Sequence, residues 1–426
     1  MTTRAASSGD PAGANASAPA RPPHPKLARN VIILGAVSFL TDVSSEMIYP
    51  LLPVFLGTVL GASATSIGVI EGMAESVAAL LKFASGWWSD RVRRRKPLVV
   101  IGYAIASLVR PLVGLAQAAG QVLAIRVADR IGKGIRTSPR DALIADSVDP
   151  RVRGKAFGFH RASDHAGAVL GPLIAFVLLE RAGVPMRTLF LLAAIPGVIA
   201  VIVLVIGVRE APKQPDTAAK EAANVPVLEP ARLRKLGGRF WAVLGVVLIF
   251  TLGNSTDAFL LLRAADLGVP IAQIPLLWAM LHVVKSASST PGGALSDRVG
   301  RRPLLIAGWL LFAAVYFAFG RATSAWQVWA LFAIYGVFFG LTEGTEKALV
   351  ADMVPASARG TAFGGFNLAI SLGALPASVI FGLWWDRVGP RAAFDFGATM
   401  ALIATVALVL VLPRAPRKRP QTVTES

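Results

Sequence analysis

Gly86-Trp-Trp-Ser-Asp-Arg-Val-Arg-Arg-Arg-Lys-Pro97 is a stretch in which a long apolar run ends in an Asp-Arg pair and passes directly into a strongly basic turn. The stretch Gly293-Ala-Leu-Ser-Asp-Arg-Val-Gly-Arg-Arg-Pro303 repeats the same arrangement about half a chain later. Each copy is typical of two apolar helices joined by a short charged loop. The repetition therefore predicts that the chain contains two copies of one structural unit.

A second pair of segments supports the duplication. Ala142-Leu-Ile-Ala-Asp146 matches Ala348-Leu-Val-Ala-Asp352, and Arg153-Gly-Lys-Ala-Phe-Gly158 matches Arg359-Gly-Thr-Ala-Phe-Gly364. Both matches have the same offset and contain no gap. Internal repeats of this kind are common in secondary transporters, in which two halves surround one central site.

The composition places these units in a lipid bilayer. Of the 426 residues, 54% are hydrophobic and 16% are charged, whereas soluble proteins carry about 25% charged residues. Apolar runs recur that reach the length of about 20 residues needed to cross a membrane. They fall near 30–57, 66–89, 97–117, 121–148, 156–180, 187–208, 240–265, 271–296, 303–320, 325–352, 360–384 and 391–412. We therefore predict an all-α membrane protein with twelve transmembrane helices in two pseudo-symmetric six-helix bundles.

These runs also divide the chain. We expect a disordered cytoplasmic tail over 1–29, a first bundle over 30–208, a cytoplasmic linker over 209–239, a second bundle over 240–412 and a basic cytoplasmic tail over 413–426. The even number of crossings predicts that both termini lie in the cytoplasm. The expected location is the cytoplasmic (inner) membrane, with multiple crossings.

The net charge of +18 does not indicate a nucleic-acid partner, because the positive residues lie in alternate short loops. Basic clusters occur at 91–96, 151–155, 232–239, 298–302 and 414–419. This distribution follows the positive-inside rule of membrane proteins. The chain contains no cysteine, so it can form neither a disulfide nor a thiolate metal site. We expect no metal and no cofactor.

The basic turns resemble a signature of the major facilitator superfamily. Gly293 to Arg302 follows the Gly-x-x-x-Asp-Arg-x-Gly-Arg-Arg pattern that the superfamily carries after its second helix. The first copy departs from it, because Arg93 stands in the position of the glycine. Arg126 resembles the arginine of a second superfamily motif in the fourth helix, where Arg130 replaces the usual glycine. The resemblance implies a secondary active transporter that moves a small solute by alternating access.

Two further segments bear on the direction of transport. Gly167-x-x-x-Gly171-Pro172 is similar to part of a motif that the superfamily associates with antiporters, and Pro50-Leu-Leu-Pro53 resembles drug-exporting members. The favoured hypothesis is proton-coupled efflux, with a small molecule and protons as partners and a monomer as the assembly. Proton-coupled uptake of a small metabolite or anion is the alternative. A membrane-embedded enzyme is a remote alternative, since no metal-ligand set is recognisable, and we expect no enzymatic activity.

The resemblance assigns a conformational latch to the residues around the basic turns. Such residues hold the two halves together on the cytoplasmic side and separate when the protein opens inward. The candidates are Gly86, Asp90, Arg91 and Asp146 in the first half and Gly293, Asp297, Arg298 and Asp352 in the second. The alternative is that the basic residues only determine the orientation of the chain in the membrane.

Charged side chains inside the predicted helices form the candidate site, because a charge in lipid is costly and usually faces the protein interior. The seven charged residues from Arg126 to Asp141 fall within an arc of roughly 140° of the fourth helix. The candidates for proton coupling are Asp42, Glu46 and Glu75. The candidates for the substrate cavity are Arg126, Arg130, Arg136, Arg140, His160, Asp164, Asp257, Lys285 and Glu343. The alternative is that many of these charges are structural ion pairs, and Glu343 and Lys347, four residues apart, are expected to form one.

Overall fold

The structure is a computed structural model, and it describes part of the chain. The described residues are 28–91, 95–148, 153–209, 236–354 and 359–412, without the side chains at 83, 86–91, 153–154 and 359–361. The predicted basic tail, most of the predicted N-terminal tail and most of the predicted linker therefore lie outside the described residues.

Within these ranges the chain forms helices and no β-strand. Twelve long helical segments follow one another. They are α1 (Arg29–Val59), α2 (Ala64–Arg91), α3 (Lys96–Leu115), α4 (Ala119–Asp146), α5 (Arg153–Phe176, continued by Val177–Arg181), α6 (Met186–Gly207), α7 (Gly237–Gly253 and Ala258–Asp266), α8 (Ile274–Val299), α9 (Arg301–Arg321), α10 (Ala325–Asp352), α11 (Arg359–Arg387) and α12 (Pro390–Val411). The predicted helical fold is confirmed.

Ten of the described helices are long and apolar enough to cross a membrane. The two that are not are α4 and α8. Charged residues interrupt the apolar character of α4, and α8 carries the polar stretch Lys285-Ser-Ala-Ser-Ser-Thr290. Helices with such faces can cross a bilayer only when neighbouring helices shield the polar side chains. A total of twelve crossings stays a prediction that depends on these two helices.

The turn between α8 and α9 explains why the superfamily pattern has a glycine there. Gly300 has φ 94°, a left-handed conformation that costs glycine little and other residues more. This residue ends α8 and allows α9 to begin at the next position, Arg301. In the first copy Arg93 takes the place of the glycine, and that turn lies outside the described residues.

Helices pack in the same way within each half. In the first half α4 lies against α2 and α3, and α1 lies against α5 and α6. In the second half α10 lies against α8 and α9, and α7 lies against α11 and α12. The equivalent ion pairs Arg95–Asp146 and Arg301–Asp352 join the third helix of each half to the fourth. The halves meet along α2 with α11, α5 with α8 and α1 with α7.

Two names describe the ends of the bundle. The basic end is where α2, α4, α8 and α10 finish, so it carries the basic turns between Arg91 and Lys96 and between Val299 and Arg301. The far end is the opposite one, where α1 meets α2 near residues 60–63 and α11 meets α12 near Val388.

Glycines bring α8 and α10 into close contact. A methyl group at Gly340 would overlap Ser288 of α8, and one at Gly292 would overlap the backbone of Gly340. Small residues of this kind allow helices in a membrane to approach closely and gain van der Waals contacts. The crossing therefore depends on the absence of side chains.

We predict that Gly340→Val destabilises the protein by about 1–3 kcal/mol, because overpacking a tight contact forces side chains and backbone to shift. The thermal unfolding midpoint of the purified protein in detergent measures the effect. Gly344→Val is the matched control on the same helix, since no heavy atom lies within 4 Å of a methyl group added there. Equal midpoints for the two variants would contradict the proposed crossing.

Candidate functional site

A buried ion pair joins α2 to α4. The guanidinium of Arg126 donates from Nε to Oε1 of Glu71 at 3.0 Å and from Nη2 to Oε2 at 2.6 Å. Glu71 is only 2% exposed and Arg126 6%. This two-bond arrangement satisfies both carboxylate oxygens and is the strong geometry for an arginine and a carboxylate. The guanidinium also lies over the ring of Tyr49, at 5.4 Å from its centroid.

A second buried pair lies between α3 and α4. Arg110 donates from Nη2 to Oδ1 of Asp129 at 2.7 Å, and its Nη1 reaches the carbonyl oxygen of Thr41 at 3.3 Å. These bonds tie α1, α3 and α4 together around one guanidinium. Each buried charge thereby gains an opposite charge and hydrogen bonds, which a charge removed from water requires.

Three further cations of α4 face other partners. Arg130 pairs with Glu75 of α2 at 3.1 Å, and the Glu75 side chain is 51% exposed. Arg140 pairs with its neighbour Asp141 at 2.8 Å. Arg136 lies with its guanidinium 4.0 Å from the centroid of the Tyr103 ring. Three of the four predicted cavity arginines are thus held by carboxylates, which is the arrangement expected of structural ion pairs.

The two first-choice proton-coupling candidates lie one turn apart on α1, and Glu46 contacts the second half. The Glu46 carboxylate accepts a hydrogen bond from the indole Nε1 of Trp278 on α8 at 2.7 Å. On its other side α5 approaches closely, because methyl groups at Gly167 and Gly171 would contact the Cβ atoms of Asp42 and Glu46 at 2.9 and 3.0 Å. The glycines of the antiporter-like segment therefore allow α5 to lie directly against α1 at these two residues.

The predicted polar residues of α5 form a local cluster with α1. Asp164 accepts a hydrogen bond from the hydroxyl of Ser38, and Nδ1 of His160 lies 3.5 Å from its Oδ2. His160 is 3% exposed. The sequence placed His160 and Asp164 one helical turn apart, and the structure adds the serine of α1 to the pair.

In the second half, Glu343 has two lysine partners. Lys285 of α8 lies 3.1 Å from its Oε2, and Lys347 lies 3.3 Å from its Oε1. The expected pair between Glu343 and Lys347 is present. The additional contact with Lys285 joins α8 to α10.

Asp257 lies on α7, apart from the carboxylates of α1, α2, α4, α5 and α10. It lies at the break between the two parts of α7, and its Oδ1 accepts a hydrogen bond from the hydroxyl of Tyr335 at 2.7 Å. Within the described ranges, Asp257 takes part in no ion pair at 4.0 Å or less. Broken helices with irregular backbone at membrane depth occur in transporters where they line a polar cavity.

A cavity of about 820 Å³ lies between the halves. Its walls come mainly from α2, the break in α7 and α11. Charged residues in the lining are Glu71, Glu75, Lys82 and Asp257, and polar residues include Asn254, Ser255, Thr256, Asn367, Ser371 and Ser378. The volume suits a small organic ligand, for which pockets of roughly 300–1,000 Å³ are usual.

The far end of the cavity is closed by contacts between α2 and α11. Asp386 accepts hydrogen bonds from the backbone N–H of Ala64 at 2.9 Å and of Thr65 at 2.8 Å, and from the Thr65 hydroxyl at 2.6 Å. A carboxylate at a helix N-terminus satisfies free N–H groups and is stabilised by the helix dipole. Farther along α2, one and two turns from Thr65, methyl groups at Gly68 and Gly72 would overlap Ser378 and Leu375 of α11, respectively.

The helices are more open at the basic end. A methyl group added at Gly158, Gly293 or Gly364, on α5, α8 and α11, would meet no heavy atom within 4 Å. Hydrogen bonds between the halves are made by Glu46, Ser76 and Asp386, which lie away from this end. The cavity lining continues in this direction through Leu80 and Lys82, so the cavity opens toward the basic end.

The latch candidates make contacts within their own halves. Asp146 pairs with Arg95, and Asp352 accepts from Arg301 at 3.2 Å. Asp297 also pairs with Arg301, at 2.5 Å. Arg298 is exposed, and the surroundings of Gly293 are open. The side-chain surroundings of Gly86, Asp90 and Arg91 lie outside the described residues, so their predicted role is not tested.

Several partners in this site were not found from the sequence. Trp278, Tyr335 and Asp386 each make a hydrogen bond between distant helices. The indole and phenol groups lie in apolar runs and have no distinguishing spacing, so no local signal identified them. Asp386 precedes a basic residue near a helix end. From the sequence alone, this position cannot be distinguished from an ordinary exposed loop.

Comparison with known proteins identifies relatives over almost the whole chain. The sequence model of the family described as the Major Facilitator Superfamily matches residues 34–284 and 258–426. An uncharacterized MFS-type transporter of Methanocaldococcus jannaschii is 34% identical over 392 residues, which cover 91% of this chain and 96% of the relative. The multidrug resistance protein MdtG of Enterobacter lignolyticus is 25% identical over 397 residues, covering 91% of this chain and 93% of that protein.

The fold is also found in solved structures. A bacterial homolog of the human lysosomal transporter Spinster, in an inward-facing and unoccupied conformation, superimposes with a TM-score of 0.70 at 19% identity. The match covers 91% of this chain and 96% of that structure. At this identity the similarity concerns the fold.

We predict that Glu71→Gln and Arg126→Gln each destabilise the protein by about 3–5 kcal/mol, because each leaves one buried charge without its partner. The double variant should regain part of this loss, since it removes both charges. Thermal unfolding in detergent measures all three. Arg321→Gln serves as the control, because the Arg321–Asp395 pair is about one-third exposed and such pairs contribute about 0–1 kcal/mol. Additive losses in the double variant would contradict the pairing.

We also predict that Asp386→Ala loosens the closure at the far end, because it removes three hydrogen bonds between the halves. The chain has no cysteine, so spin labels can be placed at Val59→Cys and Val388→Cys, both exposed at the far end. Pulsed electron paramagnetic resonance should show longer distances in the Asp386 variant. Asp395→Ala, whose pair with Arg321 lies within one half, should leave them unchanged. Identical distance distributions in both variants would exclude the role of Asp386.

Proposed function

The chain belongs to the Major Facilitator Superfamily, and from this premise we propose that it is a proton-coupled exporter of a small solute that works by alternating access. Secondary transport across a membrane follows from the family. The direction, the coupling to protons and the identity of the solute are the new part of the proposal.

The observation that carries the alternating-access mechanism is the difference between the two ends of the cavity. At the far end Asp386 binds the N-terminus of α2, and glycines of α2 touch α11. At the basic end Gly158, Gly293 and Gly364 have open surroundings. Because the positive-inside rule places basic loops in the cytoplasm, this conformation is open inward. Outward opening then requires Asp386 to release α2 while the latch residues close the basic end.

Glu46 is the residue best placed to couple protons to this change. Its carboxylate accepts the Trp278 hydrogen bond across the halves, and the Tyr49 ring packs at a tilt of 47° against the same indole, with centroids 5.1 Å apart. A proton on Glu46 removes the negative charge that strengthens this hydrogen bond. Protonation therefore weakens one of the contacts that hold the halves together. Asp42, one turn earlier and beside the same glycine-lined face of α5, is the second site for the proton.

Export is supported by two features. The Gly167–Gly171 spacing packs α5 directly on the backbone and Cβ atoms of α1 at Asp42 and Glu46, which links the antiporter-like segment to the residues proposed to carry protons. A relative named as a multidrug resistance protein aligns over 91% of the chain. Proton-driven uptake would require symport, in which the solute and the proton cross in the same direction, and the experiment below separates the two.

We predict that everted membrane vesicles with an acidic interior accumulate solute through this protein and that Glu46→Gln and Asp42→Asn abolish the accumulation. Ethidium, benzoate and uridine, one cation, one anion and one neutral solute, are measured separately. Asp395→Asn, outside the cavity, is the control and should retain activity. Undiminished accumulation in both α1 variants would contradict proton coupling, and accumulation only under the reversed gradient would show uptake instead of export.

A further inference from the structure

We propose that the cavity binds an organic cation and that Asp257, on the broken helix α7, is the residue that recognises its positive charge. This inference rests on the proposed function, because it names the solute class for the same cavity. It depends on the distribution of charge in the cavity walls rather than on the overall charge of the protein.

Asp257 is placed where it can meet a cation in the cavity. Its carboxylate lies at the interruption between Gly253 and Ala258 and lines the cavity. Tyr335 donates one hydrogen bond to Oδ1, and in the part of the chain that the structure describes no cation lies within 4.0 Å of it. A carboxylate in a membrane is costly unless a cation or several hydrogen bonds compensate it. Asp257 therefore has room for a cationic partner that the protein itself does not supply.

The opposite wall of the cavity presents carboxylates. The lining includes the carboxylates of Glu71 and Glu75 but not their partners Arg126 and Arg130. At the second pair the Glu75 side chain is 51% exposed and that of Arg130 10%, whereas Glu71 and Arg126 are both buried. A ligand in the cavity therefore meets the carboxylate of Glu75 before the guanidinium of Arg130, and it meets the carboxylate of Asp257 on the other wall.

Few basic side chains line the cavity. Three acidic side chains line it, namely Glu71, Glu75 and Asp257, together with one basic side chain, Lys82. Lys82 is exposed and lies toward the basic end. Lys285 is nearby on α8, but its ammonium is held by Glu343 at 3.1 Å. An anionic ligand would face the unpaired carboxylate of Asp257, and like charges at such distances repel.

The rest of the lining indicates an organic rather than an inorganic cation. Leu80, Leu368 and Ile370 provide apolar surface, and Tyr49 and Phe339 provide aromatic rings. Aromatic faces attract organic cations, and the Phe339 ring already lies 4.2 Å from the Lys285 ammonium. Asn254 and Asn367 offer hydrogen bonds to polar substituents. The cavity thus fits a protonated or quaternary amine with an apolar body.

Matched probes of opposite charge test the proposal. Tetraphenylphosphonium and tetraphenylborate have nearly the same shape and carry +1 and −1 charge. Equilibrium dialysis of the purified full-length protein in detergent measures the binding of each. We expect the phosphonium to bind and Asp257→Asn to weaken its binding by at least about tenfold, because a desolvated charge contact is lost. Equal or tighter binding of the borate to the unmodified protein would overturn the proposal, and this comparison needs no variant.

Two further variants separate charge recognition from a structural role of Asp257. Tyr335→Phe removes the hydrogen bond but keeps the carboxylate, so phosphonium binding should persist. Asp395→Asn removes a carboxylate outside the cavity and should also leave it unchanged. Equal losses in the Asp257 and Tyr335 variants would show that Asp257 only maintains the cavity, and unaltered binding in Asp257→Asn would exclude its role.

The outcome is distinguishable from a failure of the proposed function. Phosphonium binding that depends on Asp257, without accumulation in everted vesicles under a proton gradient, would support the cation site and contradict proton-coupled export. Gradient-driven accumulation of a solute by both the unmodified protein and Asp257→Asn would support export and contradict the cation site.

Discussion

Charged groups inside a membrane protein must find their partners within the protein, and this constraint organises the first half of the chain. The helix α4 carries five cations and two carboxylates between Arg126 and Asp141. Helices α2 and α3 supply Glu71, Glu75 and the Arg110 partner of Asp129, and Arg136 lies against the Tyr103 ring of α3. Transfer of an unpaired charge into lipid costs several kcal/mol. The pairing therefore determines which faces of α2, α3 and α4 turn inward.

The second half has the same helix packing as the first, but different side chains fill its interior. Its equivalent helices pack through aromatic residues, for example Phe250 stacked on Trp309 with centroids 4.4 Å apart. Fewer charges remain there, and the carboxylate of Asp257 has no cationic partner among the described residues. The two halves thus share a backbone arrangement but not an interior chemistry. The cavity between them combines a wall of neutralised ion pairs with a wall that carries one unneutralised negative group.

The sequence predicted the architecture because apolar length, basic loops and internal repeats are properties of the chain itself. The internal repeat predicts equivalent positions for Asp146 and Asp352, and both pair with an arginine at the start of the preceding helix. Helical spacing also placed the charges of α4 on one face. It did not show which of them were paired, because Glu71 and Arg126 are separated by 55 residues. The contacts of Glu46 with Trp278 and of α2 with Asp386 join separate halves, so only the folded structure shows them.

The cavity opens at the basic end while the far end is closed, and labelling from the two sides of the membrane tests this most directly. Because the chain has no cysteine, Leu368→Cys in the cavity, Val299→Cys at the basic end and Val388→Cys at the far end can each be labelled alone. A membrane-impermeant maleimide is applied to right-side-out and everted vesicles. The account predicts that Leu368→Cys reacts from the same side as Val299→Cys and is protected from the side that labels Val388→Cys. Labelling of Leu368→Cys only from the side of Val388→Cys would contradict the account.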